Sequence, residues 1–210
     1  MKQFSRGTIE AFDQRFRTSF VNSLWGFKSV CLVGTQSAEG NTNLAVFSQV
    51  FHLGASPALV GMIVRPPEAD RHTYENLKET GWFTLNHINP DIVEKAHQTA
   101  ARYPREQSEF DAVGLTPIWT DGIIAPYVTE SHLRIGCRFD GETEIKQNGT
   151  VLIIGKVEEV WLDESALQTD GYIDLEQLQT VTSSNLDSYH TTTRIARYAY
   201  AKPNEKLKKF

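Results

Sequence analysis

The 210-residue sequence has only two cysteines and no long apolar run. Cys31 and Cys137 lack the C-x-x-C spacing of zinc and redox motifs, and each lies in a short apolar run, so we predict two buried thiols and no disulfide. No stretch approaches the roughly 20 apolar residues of a membrane span, and the N-terminus lacks the apolar core of a signal peptide. We therefore expect a cytoplasmic protein without membrane attachment.

A surplus of positive charge is also lacking, since 21 Lys and Arg are outnumbered by 26 Asp and Glu and the formal net charge is -5. A general nucleic-acid binder needs a surplus of Lys and Arg to displace counterions from phosphates, so a small-molecule partner fits better. Several common motifs are absent: the Walker A loop, the G-x-G-x-x-G turn, the H-E-x-x-H helix and the G-x-S-x-G elbow. The six histidines are dispersed along the chain, and we expect no metal site.

Short apolar runs separated by Gly and Pro predict a mainly β fold in one domain, residues 1–210. Apolar and polar residues alternate from Leu133 to Phe139, which is typical of a strand with one buried face. Asn148-Gly149 predicts a two-residue type I′ hairpin turn, because both residues tolerate positive φ. The other predicted strands cover residues 29–34, 44–53, 59–64, 82–88 and 151–161.

Helices are predicted to be few and peripheral. Apolar residues recur at helical spacing behind Thr8, a candidate N-cap, and predict an amphipathic helix over about 8–22 that covers a core; they are Ile9, Phe12, Phe16 and Phe20. Shorter helices are predicted over 73–80 and 91–102. The residues from about 203 to 210 are expected to form a charged, solvated tail.

Two polar stretches lie where strand ends and loops are expected. Residues 65–73 supply Arg65, Arg71 and the Thr73 hydroxyl at the start of a helix, where free N–H groups and the helix dipole favour a phosphate. The alternative is that Asp70 or Thr73 caps the helix while the arginines are solvated.

The other polar stretch covers residues 35–49. Asn43, Ala45, Ser48 and Gln49 combine small side chains with amides, and they suit a flat ring such as isoalloxazine, which has one apolar and one hydrogen-bonding side. They are equally compatible with ordinary turn and strand positions.

Several segments, in order along the chain, resemble the flavin reductase-like family. N-L-A-V-F-S at 43–48, behind G-T-Q-S-A-E-G, resembles the family's strand and loop along FMN, and R-H-T-Y-E-N-L-K-E-T-G-W-F-T-L-N at 71–86 resembles its phosphate-binding segment. S-E-F-D-A-V-G-L-T at 108–116, A-P-Y-V-T-E-S and I-G-K-V-E-E-V at 154–160 match its second half. L-D-S-Y-H-T-T-T-R-I-A-R-Y-A-Y-A-K-P at 186–203 is similar to the closing segment of the flavoredoxin-like branch.

The resemblance implies an FMN-binding split β-barrel with a few peripheral helices, assembled as a homodimer. It also implies an oxidoreductase that transfers electrons from NAD(P)H through flavin. Free flavin, a monooxygenase or an electron-acceptor protein would be further partners. The alternatives are a flavoredoxin-type electron carrier and a nonenzymatic flavin- or haem-binding module.

The resemblance also assigns residues to the cofactor. Arg65, Arg71 and Thr73 are assigned to the phosphate, although the family often has Lys-Asp where this chain has Arg71-His72, which leaves the role of His72 open. Hydride transfer needs no acid or base, so no catalytic residue is assigned. Tyr189 and His190 are weak candidates for the substrate side of the flavin, a surface or interface role being the alternative. The residues assigned to the ring and ribityl chain are Thr35, Asn43, Leu44, Ala45, Ser48, Gln49 and Asn86.

Overall fold

The computed structural model describes residues 1–66 and 71–210. This part of the chain is mainly β, as predicted. Its strands are β1 (Lys28–Ser29), β2 (Cys31–Gln36), β3 (Thr42–Phe47), β4 (Val50–Ala55), β5 (Ala58–Val64), β6 (Trp82–His87), β7 (Pro117–Thr120), β8 (Ile123–Val128), β9 (Leu133–Ile145), β10 (Thr150–Leu162), β11 (Thr182–Ser184) and β12 (Ser188–His190).

Seven strands form one antiparallel sheet in the order β3, β2, β6, β9, β10, β5, β4. The two longest strands, β9 and β10, pair at its centre, with register shifts that bend the sheet. A three-stranded sheet joins β1, β11 and β12, and β7 pairs with β8. The strand β3, which carries the predicted ring-binding residues Asn43, Leu44 and Ala45, lies at one edge of the large sheet.

The core lies on both faces of β2, because successive side chains of a strand point to opposite sides. Cys31 and Val33 belong to one buried cluster, and Leu32 belongs to another. Both cysteines are buried and unpaired, as predicted. Burial raises the pKa of the Cys31 thiol to about 12, so this group stays protonated at neutral pH.

The strand β8 crosses closely over β2. A Cβ atom at Gly34 would collide with the carbonyl oxygen of Pro126 and the hydroxyl of Thr84. The Thr84 hydroxyl donates to that same Pro126 oxygen at 2.6 Å. Glycine at position 34 therefore permits the crossing that holds β2, and the residue after it, in place.

The N-terminal prediction was wrong in two respects. Two helices, α1 (Arg6–Glu10) and α2 (Gln14–Ser23), replace the single predicted helix, and their N-caps are Ser5 and Asp13 rather than Thr8. Asp13 accepts the N–H groups of the first turn of α2 and starts a new helix there. Neither helix buries a residue; the aromatic side chains contact one another instead of covering a core.

The remaining helices are short. The helix α3 (His72–Thr80) confirms the prediction over 73–80, and it ends at Gly81 in the left-handed conformation. The predicted helix over 91–102 is reduced to a 3-10 turn at Pro90–Ile92 and α4 (Val93–Gln98). A further helix, α5 (Glu109–Val113), was not predicted.

The β9–β10 hairpin has a four-residue loop, 146–149, so the two-residue prediction was wrong. Ile145 pairs with Thr150, and of the loop residues only Gly149 has a positive φ, 71°. Asn148 has a negative φ, and its side-chain oxygen accepts hydrogen bonds from the N–H and the hydroxyl of Thr150. This Asx bond makes Asn148 a poor match for a type I′ turn.

Within 1–66 and 71–210, no helix is long and apolar enough to cross a membrane. The same residues contain no group of three or more potential metal-ligating side chains. At the C-terminus the Phe210 N–H donates to the Arg197 carbonyl, which folds the exposed tail back on the preceding segment.

Candidate functional site

Four polar side chains meet where β2, β3 and α3 converge: Thr35, Asn43, Thr73 and Asn76, here called the polar cluster. The Asn43 amide donates to the Thr73 hydroxyl at 2.9 Å and to the Thr35 hydroxyl at 3.3 Å. The Asn76 amide donates to the Thr35 hydroxyl at 3.2 Å. Each of the four residues is at most 7% exposed. The structure thus joins three predicted site residues directly and adds Asn76 to them.

The polar cluster has unused hydrogen-bonding capacity. The buried Oδ1 of Asn76 has no partner among the described residues. The Thr73 hydroxyl accepts from Asn43, so its own proton is free to be donated to a ligand. A buried acceptor left unsatisfied costs about 1–3 kcal/mol, so the cluster is suited to receive a polar ligand.

The start of α3 lies beside the polar cluster, since Thr73 and Asn76 belong to both. Arg71 is the N-cap and makes no side-chain capping bond; Thr73 is inside the helix, and Asp70 lies outside the described residues. The buried Nε of Arg71 has no partner in the part of the chain that the structure describes. A helix start with a buried guanidinium nitrogen is a favourable place for an anion.

A polar cleft opens beside these groups. Its walls include Asn43 and Asn76 of the polar cluster together with His72, Arg105 and Glu109. Arg105 and Glu109 were not predicted from the sequence. They reach the site from the part of the chain that follows α4; Glu109 lies in the 108–116 segment that resembles the family, but no ligand role was predicted for it.

Glu109 attaches α5 to the edge of the large sheet. Its side chain is 6% exposed, and its Oε2 accepts the Leu44 N–H at 2.9 Å. Burial raises the pKa of this carboxyl, and the bond from Leu44 opposes that shift. The Leu44 side chain is fully buried in the core, so its backbone alone faces the site region.

The predicted ring-binding residues continue along β3 away from the polar cluster. Ala45 and Ser48 are half-buried and Gln49 is exposed. At roughly 3.3 Å per residue, the path from Asn43 to Gln49 spans up to about 20 Å. The Ser29 hydroxyl donates to the Val50 carbonyl at the far end of this path.

Asn86 does not belong to this surface, contrary to the prediction. It is fully buried, and its amide donates to the Leu32 carbonyl at 3.1 Å and to the Thr84 hydroxyl at 2.9 Å. Its oxygen accepts the Val128 N–H at 2.9 Å. Because every polar atom of the side chain is used, Asn86 joins β2, β6 and β8 and presents nothing to a ligand.

Three other predicted residues lie outside the polar cluster. Arg65 is exposed beyond the end of β5, and it is separated from Arg71 by residues outside the described part. The His190 ring bonds to the Ser184 hydroxyl at 2.8 Å and packs edge-on against Phe27. The Tyr189 hydroxyl bonds to His97 at 3.0 Å.

The comparison with known proteins decides the family. The model of the flavin reductase like domain matches residues 28–179, which include the polar cluster and the cleft. The chain belongs to the flavin reductase-like family. It is accordingly a flavin-linked oxidoreductase in the broad sense of that family.

Solved structures agree with the family and confirm the split barrel. A protein from Shewanella frigidimarina NCIMB 400, provisionally called a flavin reductase with a split barrel domain, is 48% identical with a TM-score of 0.92, over 96% of this chain and 100% of that one. Nitrilotriacetate monooxygenase component B from Bacillus cereus has a TM-score of 0.79 at 23% identity, and the match covers 92% of this chain and 96% of that one. Flavoredoxin of Desulfovibrio vulgaris (Miyazaki F) has a TM-score of 0.70 at 23% identity, and the match covers 85% of this chain and 92% of that one. The last two show likeness of fold alone.

Proposed function

We propose that this protein binds FMN and transfers electrons from NAD(P)H through the flavin. The observation that carries the proposal is the polar cluster at the start of α3, where buried groups have unused hydrogen-bonding capacity and the N-cap residue Arg71 has a buried Nε without a partner among the described residues. A flavin mononucleotide presents a phosphate, a chain of hydroxyls and a ring, and this region offers matching groups for each.

The phosphate would lie at the start of α3. Arg71 offers charge and a buried Nε donor, Thr73 offers its hydroxyl proton, and the first-turn N–H groups of the helix point the same way. Arg65 would add long-range positive charge from the loop before the helix. The fit supports FMN over riboflavin, because only FMN carries the phosphate.

The ribityl chain and the ring would follow β3. The Asn76 Oδ1, which has no partner in residues 1–66 and 71–210, suits a ribityl hydroxyl, since it can only accept a hydrogen bond. Ala45 and Ser48 permit close approach of the ring, and Gln49 offers its amide. When bound, FMN supplies the hydride-accepting chemistry; the chain's own residues bind it, orient it and exclude water from its phosphate end.

A second copy of the chain would complete the ring end. Exposed aromatic side chains lie near it: Phe27 precedes Ser29, and Phe51 follows Val50. Exposed apolar groups of this kind favour a protein interface. A homodimer would also place the segment around His190, which contacts Phe27, near the flavin.

Flavin titration tests the proposal. The purified chain, freed of any flavin, is titrated with FMN and with riboflavin, and binding is followed by flavin fluorescence. The FMN complex is then mixed anaerobically with NADH or NADPH, and the visible flavin band is expected to bleach. Absence of FMN binding, or a band that neither nucleotide bleaches, would contradict the proposal.

An electron carrier is the alternative function, and likeness of fold to a flavoredoxin favours it. Acceleration of NAD(P)H oxidation by added free flavin would support a reductase that supplies reduced flavin, for example to a monooxygenase. Retention of FMN through gel filtration, with electrons passed only to an acceptor protein, would support the carrier. A haem band, or a flavin complex inert to every reductant, would indicate a nonenzymatic binding module.

A further inference from the structure

We propose that Arg105 is a second phosphate-binding residue and that Glu75 positions it. The inference rests on the proposed FMN function and concerns the same site. It adds a cation from a segment about 30 residues beyond the predicted phosphate loop, and it explains the placement of an acidic side chain beside an anion site.

Glu75 links two arginines at the start of α3. Its Oε1 accepts the Arg71 backbone N–H at 3.0 Å, and its Oε2 accepts Nη1 of Arg105 at 2.7 Å. One carboxylate thus fixes the backbone of the N-cap residue and holds the guanidinium of Arg105 at the same end of the helix.

Arg105 lines the cleft that also contains His72, Asn43 and Asn76. An independent feature indicates that this cleft receives a ligand. Asn76 is only 3% exposed, and its Oδ1 lacks a partner among the described residues. The buried Nε of Arg71, the N-cap residue of the same helix, is likewise without a partner among the described residues.

Arg105 keeps most of its binding capacity. A guanidinium has five N–H donors in a planar fork, and that of Arg105 uses its Nη1 to bond to Glu75. The side chain is 40% exposed, so part of the guanidinium side chain stays accessible to a ligand. Glu75 neutralises the charge of the Arg105 guanidinium. The charge of Arg71 and the dipole of α3 remain, and together they favour a dianion near the cleft. Glu109 also lines the cleft, and its Oε2 is occupied by the Leu44 N–H.

A matched ion pair on the same helix provides the control. Lys78 of α3 contacts Glu142 at 2.8 Å, with side-chain exposures of 42% and 30%, against 40% and 43% for Arg105 and Glu75. Lys78 does not line the cleft. Arg105→Ala and Lys78→Ala therefore remove similar surface ion pairs and differ in their relation to the proposed phosphate.

Equilibrium binding of FMN and riboflavin to each variant tests the proposal. Arg105→Ala is expected to weaken FMN binding about 10-fold and to leave riboflavin binding within about 2-fold, since a charge-assisted contact to the phosphate is lost. Lys78→Ala should leave both affinities unchanged, and Arg105→Lys should restore part of the FMN affinity. Equal FMN affinity in the two alanine variants, or equal loss of both ligands in Arg105→Ala, would overturn the assignment.

A double-mutant cycle tests the positioning role of Glu75. Glu75→Gln is expected to weaken FMN binding about 3-fold in the wild-type background and to have no effect in the Arg105→Ala background. Equal effects in both backgrounds would mean that Glu75 acts only on the helix. If the wild-type protein bound FMN no more tightly than riboflavin, the phosphate site itself would fail, an outcome distinct from failure of Arg105 alone.

Discussion

The two ends of β3 differ in how complete they are within a single chain. At one end Asn43 is buried and bonds to Thr35 and Thr73, beside a helix start. At the other end Ser48 is half-buried, Gln49 is exposed, and aromatic side chains nearby face solvent. In the proposed FMN complex the phosphate end would thus be preorganised, whereas the ring end would need another surface to exclude water.

This difference has a consequence for binding energy. Groups already fixed by hydrogen bonds lose little freedom when an anion arrives, so the phosphate end should supply most of the affinity. An open ring end leaves room for a transient nicotinamide beside the flavin. Each of the following substitutions separates one end from the other.

The largest expected effect comes from removing the phosphate contacts. Arg71→Ala combined with Thr73→Ala should weaken FMN binding about 100-fold, because two direct phosphate donors are lost. Riboflavin binding should change no more than about 3-fold. Fluorescence titration with both ligands measures the contrast, and equal losses for the two flavins would show that the phosphate lies elsewhere.

A bulky side chain at the ring end should give the opposite ligand pattern. Ser48→Leu is expected to weaken FMN and riboflavin binding equally, about 10-fold, because it obstructs the ring that both share. Thermal unfolding checks that the variant folds. A loss confined to FMN would place the ring away from Ser48.

Asn43, at the polar-cluster end of β3, should give the smallest of the three effects on binding. Asn43→Ala is expected to weaken FMN binding about 5-fold and to reduce the free energy of unfolding by about 1 kcal/mol, because two hydroxyls lose a partner. Asn22→Ala, which removes a bond from the amide to the Thr18 carbonyl on the exposed surface of α2, is the control. Equal effects of the two substitutions on FMN binding would contradict a site at the polar cluster.

Local patterns were sufficient to predict much of the fold. The alternation from Leu133 to Phe139 predicts β9, and the helix predicted over 73–80 is α3. The failures have local causes that periodicity does not detect. The side chain of Asp13 starts a second N-terminal helix, and an Asx bond of Asn148 favours a longer loop.

The candidate site was predictable only where the resemblance to the family assigns a role to a residue. Thr35, Asn43 and Thr73 belong to segments with such a role, and the structure brings them together. Glu109 lies in a segment that resembles the family but has no role assigned there, and Arg105 lies outside the segments that resemble the family; both reach the cleft through tertiary packing. Asn86 shows the reverse error: its hydrogen bonds are satisfied by its own strand β6 and by the neighbouring strands β2 and β8, which only the topology reveals.

The bond from Leu44 to Glu109 also bears on self-association. An edge strand exposes N–H groups that can recruit a strand from another molecule. On β3 one of these groups is already taken by a carboxylate, and α5 is held beside it. Sheet extension across this margin is therefore blocked, which protects the protein from edge-to-edge aggregation while the neighbouring cleft stays accessible to small solutes.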